Sequence, residues 1–417
     1  MLEKIKLSDL RLGKKLGNGA FGEVFESTIA GSDVIYATKK LEKSKYMRNP
    51  RAYRYLENEI KILKSINHEN IIKLYNSDLE DRKFRYLITE YCNGGDLENI
   101  LDYYMAEKIR PFSEEEVQYI MRQLVSGIKY LHSKDPNKWE ILHRDLKLEN
   151  ILLHFDNEDD RINKRILKAK IKIIDFGFAR YLKDEDLAQS VLGSPMFMDP
   201  KILLKLNKMY NTNDFAYDAK ADIYSLGVIC YNLLTGHPLF DAQRMDDLVK
   251  KTEEGKFEIS ADLSKETISF LNYMLRYDPK KRLDINQLSE HKFITKDAKY
   301  FTRIDRNKLP NNLEESHLVF NTKGSYIQEL NKDAFEEKKE LDEYEIELKN
   351  KLNEAEEKFK ENKKNKKDDD NNHENVKDIE KLIYESIEII NGDAMSIEPK
   401  LIPFIPGVEK NILLEKN

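Results

Sequence analysis

The chain has 417 residues, 40% of them hydrophobic and 35% charged, enough for a two-lobed unit of about 250–300 residues with an extension. With 70 basic and 76 acidic side chains and a formal net charge of −6, no global basic field marks a nucleic-acid binder. Two cysteines, Cys92 and Cys230, argue against a disulfide framework, no Cys/His cluster has zinc spacing, and no apolar run approaches the about 18 residues of a membrane span.

The N-terminal segment lacks the apolar core of a signal peptide, so a cytoplasmic protein is expected. Alternating short β-type runs then predict strands over Arg11–Leu16, Glu23–Ala30 and Val34–Leu41. Apolar residues at helical spacing predict a helix over Arg54–Ile66, and strand character returns at Ile71–Ser77 and Tyr86–Glu90. From Ser113, followed by three glutamates suited to a helix N-terminus, the pattern is mostly helical. Strands first and helices later predict two unequal lobes with a cleft between them. His154 to Lys170 is a polar interruption between Ile151–Leu153 and Ile171–Ile174, expected as a surface loop that lengthens a hairpin.

Beyond a linker over 295–326, a heptad-like pattern with a stutter runs through 327–360 and predicts a charged helix suited to self-association or a partner helix. A lone solvated helix is the alternative. Residues 361–375 are Lys, Asp and Asn almost throughout and are expected to be disordered. A short helix and an irregular end are expected over 376–417.

Gly17, Gly19 and Gly22 stand in G-x-G-x-x-G-x-V, completed by Val24. A strand rather than a helix follows, which favours a hairpin over phosphates and disfavours a dinucleotide fold. Lys39 ends the next strand, where it can bridge phosphates, and Glu59 on the following helix can hold it by an ion pair. His143-Arg144-Asp145-Leu146-Lys147-Leu148-Glu149-Asn150 is the strongest segment. Asp145 can accept a hydroxyl proton, Lys147 can neutralise a transferred phosphoryl group, and Asn150 can bind a metal by its amide oxygen. Asp175, in Asp175-Phe176-Gly177, offers the carboxylate that magnesium prefers.

Together these motifs resemble the protein kinase family over residues 9–294. The resemblance implies an α+β bilobal fold, with a small antiparallel β lobe carrying one helix and a larger, mainly α lobe. It also implies ATP and Mg2+ as cofactors and protein serine or threonine hydroxyls as substrates. Leu16, the three glycines, Val24, Ala37, Lys39, Thr89, Glu90, Cys92, Asp96 and Leu152 would line the nucleotide site. Thr89 would be the gatekeeper, Glu90 and Cys92 would offer backbone groups to adenine, and Asp96 would meet the ribose. Leu63, Leu74, His143 and Phe176 resemble the regulatory stack, and Asp222 the acid that anchors the catalytic loop. Lys147 and Gly193-Ser194-Pro195 are similar to the serine/threonine branch. The string from Asp175 to Met198 resembles the ULK-type, autophagy-initiating kinases. Ser190 stands where an activating phosphate would pair with Arg144.

One motif departs from the family. Asp199-Pro200-Lys201 replaces Ala-Pro-Glu, whose glutamate partners a buried arginine matched here by Arg282. Either Asp199 turns inward to take that place, or Arg282 is more solvated. Two other functions are weighed against an active kinase: a pseudokinase scaffold, and an assembly protein acting through its tail.

Overall fold

The computed structural model describes residues 5–19, 22–108, 110–133, 140–181, 194–206, 218–260, 262–303 and 317–322. The expected helix over 327–360 and everything after it lie outside the described residues, as does Ser190.

Strands β1 (Leu10–Gly19), β2 (Gly22–Ile29), β3 (Tyr36–Glu42), β4 (Leu74–Glu80) and β5 (Phe84–Glu90) form one sheet in the order β1-β2-β3-β5-β4. All four pairings are antiparallel. Gly22 is required where β2 meets β3, because a Cβ there would lie 1.8 Å from the carbonyl oxygen of Lys40. A short helix α1 (Lys43–Tyr46) precedes α2 (Pro50–Ser65). Helix α2 starts at Pro50 rather than Arg54, because Asn49 accepts hydrogen bonds from the Arg51 and Ala52 amides and proline suits the first turn. Apolar periodicity does not signal that capped first turn, although Ala52 within it is buried. Ala52, Leu56 and Ile60 pack against Leu41, Tyr46 and Leu87 and lock α2 to the sheet.

The larger lobe is helical. It contains α3 (Leu97–Tyr103), α4 (Glu114–Leu131), α5 (Glu158–Ile162), α6 (Pro200–Leu206), α7 (Ala219–Thr235), α8 (Met245–Glu254), α9 (Lys265–Met274), α10 (Ile285–Glu290) and α11 (Lys292–Thr295). Ser113 caps α4 reciprocally with Glu116, as its sequence predicts. Helix α7 is buried nearly all round and forms the centre of the lobe. At Gly227 a Cβ would meet that of Met274 at 2.8 Å, so this glycine sets the close approach of α7 and α9.

Strands β6 (Ile141–Leu142) and β9 (Arg180–Tyr181) pair, as do β7 (Ile151–His154) and β8 (Lys170–Ile173). The expected hairpin is therefore present. Its connection is not plain loop: Asn157 caps α5, and Ile166 is buried in a following 3-10 turn. The stretch expected as a linker differs more. Strand β11 (His317–Asn321) adds antiparallel to β10 (Lys256–Ser260). Phe320 stacks on Phe257 with ring centroids 5.6 Å apart, and the Thr322 amide donates to the Gly255 carbonyl at 2.8 Å. Apolar side chains and an unsatisfied strand edge hold the segment on the lobe. Among the described residues no helix is long and apolar enough to cross a membrane.

Candidate active site

Side chains expected to carry the chemistry are linked to one another by a series of short contacts. Lys39 on β3 places Nζ 3.2 Å from Glu59 Oε1 on α2. Burial alone would depress the Lys39 pKa, but the charges of Glu59 and Asp175 outweigh it and hold the lysine above its ordinary value. Burial is also the main influence on Glu59 and, helped by Asp175, raises its carboxyl pKa against the pull of Lys39. Asp175 and Glu59 approach each other at Gly177, where an added Cβ would stand 3.1 Å from Asp175 Oδ1 and 3.9 Å from Glu59 Oε2.

The loop carrying Asp145 is held from below by Asp222, which is almost wholly buried. The backbone amides of His143 and Arg144 donate to its two oxygens at 2.8 and 2.9 Å, and His132 Nε2 lies 2.9 Å away. Burial works to raise the Asp222 pKa, but His132, His143 and the Arg144 amide prevail and hold it below the usual value. Arg144 and Asp175 have φ of 70° and 62°, conformations that side-chain-bearing residues adopt at a cost. Asn150 Nδ2 donates to the Asp145 carbonyl at 2.8 Å and to Asp145 Oδ2 at 3.1 Å. The other carboxylate oxygen accepts from the amide and hydroxyl of Ser194, at 2.9 and 3.0 Å. Lys147 is near by, 3.3 Å from Glu149 Oε1.

Asn150 and Asp175 are brought together through their backbones. The Ile174 amide donates to the Asn150 carbonyl at 2.9 Å, and His143 Nε2 donates to the Ile174 carbonyl at 3.0 Å. The His143 and Phe176 rings sit 5.0 Å apart, both fully buried. Asp175 itself is exposed. Among the described residues no three His, Cys, Asp or Glu side chains gather at a metal site. The oxygen donors here are one carboxylate and one amide, a set that suits a hard cation completed by phosphate and water.

Of the residues expected to line a nucleotide site, Val24, Ala37 and Thr89 lie on the sheet and Leu152 lies on β7. Val24 is paired with Lys39 and Ala37 with Thr89 in the ladder, and the Thr89 hydroxyl donates to the Ala37 carbonyl at 3.4 Å. After β5 the backbone turns through Cys92 into Gly94, whose amide donates to the Leu153 carbonyl at 2.8 Å. A Cβ at Gly94 would lie 2.7 Å from that carbonyl oxygen. Burial chiefly, with Glu90 adding, pushes the Cys92 thiol up to about 12, so it remains protonated. Asp96 caps α3 through the Asn99 amide at 2.9 Å and forms a backbone bridge to Leu152. Leu16, Gly17 and Gly22 lie on the β1–β2 arch.

Two relationships were not read from the sequence, and a third was left between two options. Ser194 grips Asp145, and the marker available was only its place in Gly193-Ser194-Pro195. Lys172 forms an ion pair with Glu90 at 2.7 Å. Asp199, raised as one of two options, does turn inward: its Oδ2 accepts from Arg282 Nη1, with 2% and 0% of the two side chains exposed. Lys201 points elsewhere, to Asp278 at 3.6 Å.

A protein-family description of the protein kinase domain matches residues 10–294. The chain is 36% identical over 287 residues to calcium-dependent protein kinase 5 of Plasmodium falciparum, covering 68% of this chain and 44% of that protein. It is 30% identical over 292 residues to the serine/threonine-protein kinase atg1 of Dictyostelium discoideum, covering 69% and 40%. The calcium-dependent protein kinase 5 of Plasmodium berghei is 35% identical over 290 residues, covering 69% and 46%. The chain thus matches less than half the length of each of these relatives.

Proposed function

Because this chain belongs to the protein kinase family, we propose that it is an active serine/threonine kinase that moves the γ-phosphoryl group of ATP onto protein hydroxyls. The observation that carries this reading is the set Lys39–Glu59, Asp145, Asn150 and Asp175 around one cleft, with the lysine paired and the aspartate aimed outward.

Each residue has a task in this scheme. The β1–β2 arch with its glycines covers the phosphates. Lys39, kept charged and aimed by Glu59, grips them. Asp145 accepts the proton of the incoming hydroxyl, with its carboxylate oriented by Asn150 and Ser194. Lys147 supplies positive charge beside the reacting phosphoryl group. Asn150 and Asp175 would hold Mg2+, which neutralises charge on the phosphate oxygens when bound. Thr89, the Glu90 and Cys92 backbone, Asp96 and Leu152 receive the nucleoside. The pseudokinase alternative requires loss of a charged member of this set, and none is lost.

The branch within the family is also a proposal. The DFG-to-Met198 string and the relative named atg1 support an ULK-like, autophagy-type role. The calcium-dependent relatives favour a second reading, in which calcium controls activity. No stretch of this sequence fits the calcium loop D-x-[DN]-x-[DN]-G-x5-E, which weighs against direct calcium sensing by these residues. A phosphate on Ser190 pairing with Arg144, and association through 327–360, complete the scheme, and two free cysteines suit a reducing cytoplasm.

Incubation with γ-labelled ATP and a peptide array, with and without calcium, tests all three levels. Label on serine or threonine peptides supports the kinase reading, and its absence under every condition removes it. Calcium-independent label favours the ULK-like branch.

A further inference from the structure

Lys172 has no part in the scheme above, yet its surroundings resemble those of a functional side chain. It stands on β8, three residues before Asp175, with only 10% of its side chain exposed. A lysine that gives up hydration at such a position needs a partner. Its partner is Glu90, whose Oε1 lies 2.7 Å from Nζ and whose side chain is 22% exposed. The second oxygen of Glu90 accepts from the Lys73 amide at 3.4 Å, and the Glu90 amide donates to the Lys73 carbonyl at 2.9 Å.

Two features turn this pair into a statement about the nucleotide slot. First, Lys172 is the cross-strand partner of Leu152, the floor of the slot, while its ammonium holds Glu90 at the edge of the slot. One residue therefore spans floor and edge. Its neighbour Ile173 is itself fixed, donating to the Asn70 carbonyl at 2.8 Å and accepting from the Ile72 amide at 3.0 Å. The strut thus stands on a rigid base. Second, the side of Glu90 facing away from the slot is not packed. A cavity of about 280 Å3 opens there, walled by Ile66, His68, Ile72, Tyr75, Glu90 and Lys172. Without the ammonium, the Glu90 carboxylate has room to swing back into that space and take water, and its backbone is free to follow.

We propose that Lys172 is a positioning residue for the nucleotide, holding the Glu90 backbone at the distance from Leu152 that an adenine ring requires. The inference rests on the kinase reading, since it needs ATP in that slot. It assigns Lys172 no contact with substrate. Its action is to keep one edge of the slot from relaxing into the cavity behind it.

The test is direct titration of ATP binding, alongside phosphate transfer to a peptide, for the full chain and its variants. Lys172→Met is expected to weaken ATP binding roughly tenfold, the equivalent of one misaligned hydrogen bond to the base. The KM for peptide and kcat at saturating ATP should stay within about twofold. Lys172→Arg should bind nearly as the parent does. The exchange Glu90→Lys with Lys172→Glu should recover most of the lost affinity, because the backbone of residue 90 and not its side chain faces the base. Unchanged ATP affinity in Lys172→Met would overturn the proposal. So would a fall in thermal stability, kcat and peptide affinity together, or a failure of even Lys172→Arg to fold, since each describes a purely structural residue. If the parent chain itself neither binds ATP nor transfers phosphate, the kinase reading fails instead, and the two failures are told apart by that control.

Discussion

Asp199 and Arg282 form an ion pair sealed from solvent on both sides, with 2% and 0% of their side chains exposed. The arginine also donates to the carbonyls of Arg276 at 2.6 Å, Lys220 at 3.0 Å and Tyr277 at 3.3 Å, and lies 4.8 Å from the centre of the Tyr224 ring. The usual family glutamate would come from position 201, where this chain has lysine. A shorter acid two positions earlier occupies the place instead, at the start of α6. Lys201 on that helix pairs with Asp278 instead.

Breaking this pair should be costly. Asp199→Ala leaves a buried guanidinium without its counter-charge and should destabilise the chain by roughly 3–5 kcal/mol. Arg282→Met in the same background should recover a substantial part, because it removes the orphaned charge. Urea unfolding of the two variants and the parent measures this. Equal stability of Asp199→Ala and the parent would mean that the pair does not hold the lobe.

The proposed nucleotide slot is bordered by a tight contact at Gly94. Gly94→Ala pushes a methyl group into the Leu153 carbonyl, with 2.7 Å available. Overpacking of this kind costs about 1–3 kcal/mol, and here it should move the segment that follows Cys92. The expected signature is a higher KM for ATP with an unchanged KM for peptide. A parent-like KM for ATP would show that the segment yields elsewhere.

Acid sensitivity should come partly from His291. Burial above all holds its pKa down to about 4 from an ordinary 6.5, with Lys292 adding and Glu266 opposing. Its Nδ1 accepts from the Phe293 amide at 3.1 Å, which requires the neutral ring. The folded form therefore binds fewer protons than the unfolded one. Stability from this source is complete above 6.5 and drains away as pH falls toward 4, by at most about 3 kcal/mol. His291→Asn keeps an acceptor at that cap and should flatten the stability profile between those values. A profile as steep as the parent's would assign the sensitivity to other groups.

The segment after the family match should behave as part of the large lobe. Phe320 is 4% exposed and stacked on Phe257. Phe320→Ala should cost about 3–5 kcal/mol, like other buried aromatic truncations. Calorimetry of that variant gives the answer, and a Tm equal to the parent's would mean that β11 is only loosely laid on β10.

Much of this was legible in the chain itself, and the reasons differ by element. The strands and α4 announce themselves through period and capping, because Ser113 and Glu116 carry their structural reason locally. The four catalytic-cleft motifs are likewise local strings, since backbone geometry near a phosphate leaves little freedom of residue type. The early start of α2 was missed because Asn49 and Pro50 act through capping and not through apolar spacing. Strand β11 was missed because five residues of strand character have no meaning until β10 offers them an edge. Lys172 and Glu90 are 82 positions apart in the chain, and no local pattern announces a pair made by folding. Asp199 lies between these cases: the missing glutamate signalled that something must compensate, and only packing chose which residue did.

The most direct measurement compares the parent chain with Asp145→Asn for transfer of labelled γ-phosphate to a serine or threonine peptide, with ATP binding titrated in parallel. Removal of a general base should lower transfer by about 10²–10⁴-fold while ATP affinity stays nearly constant. Transfer by Asp145→Asn at the parent's rate, with both proteins folded and binding ATP, would contradict the assignment of this cleft as the place where phosphate moves.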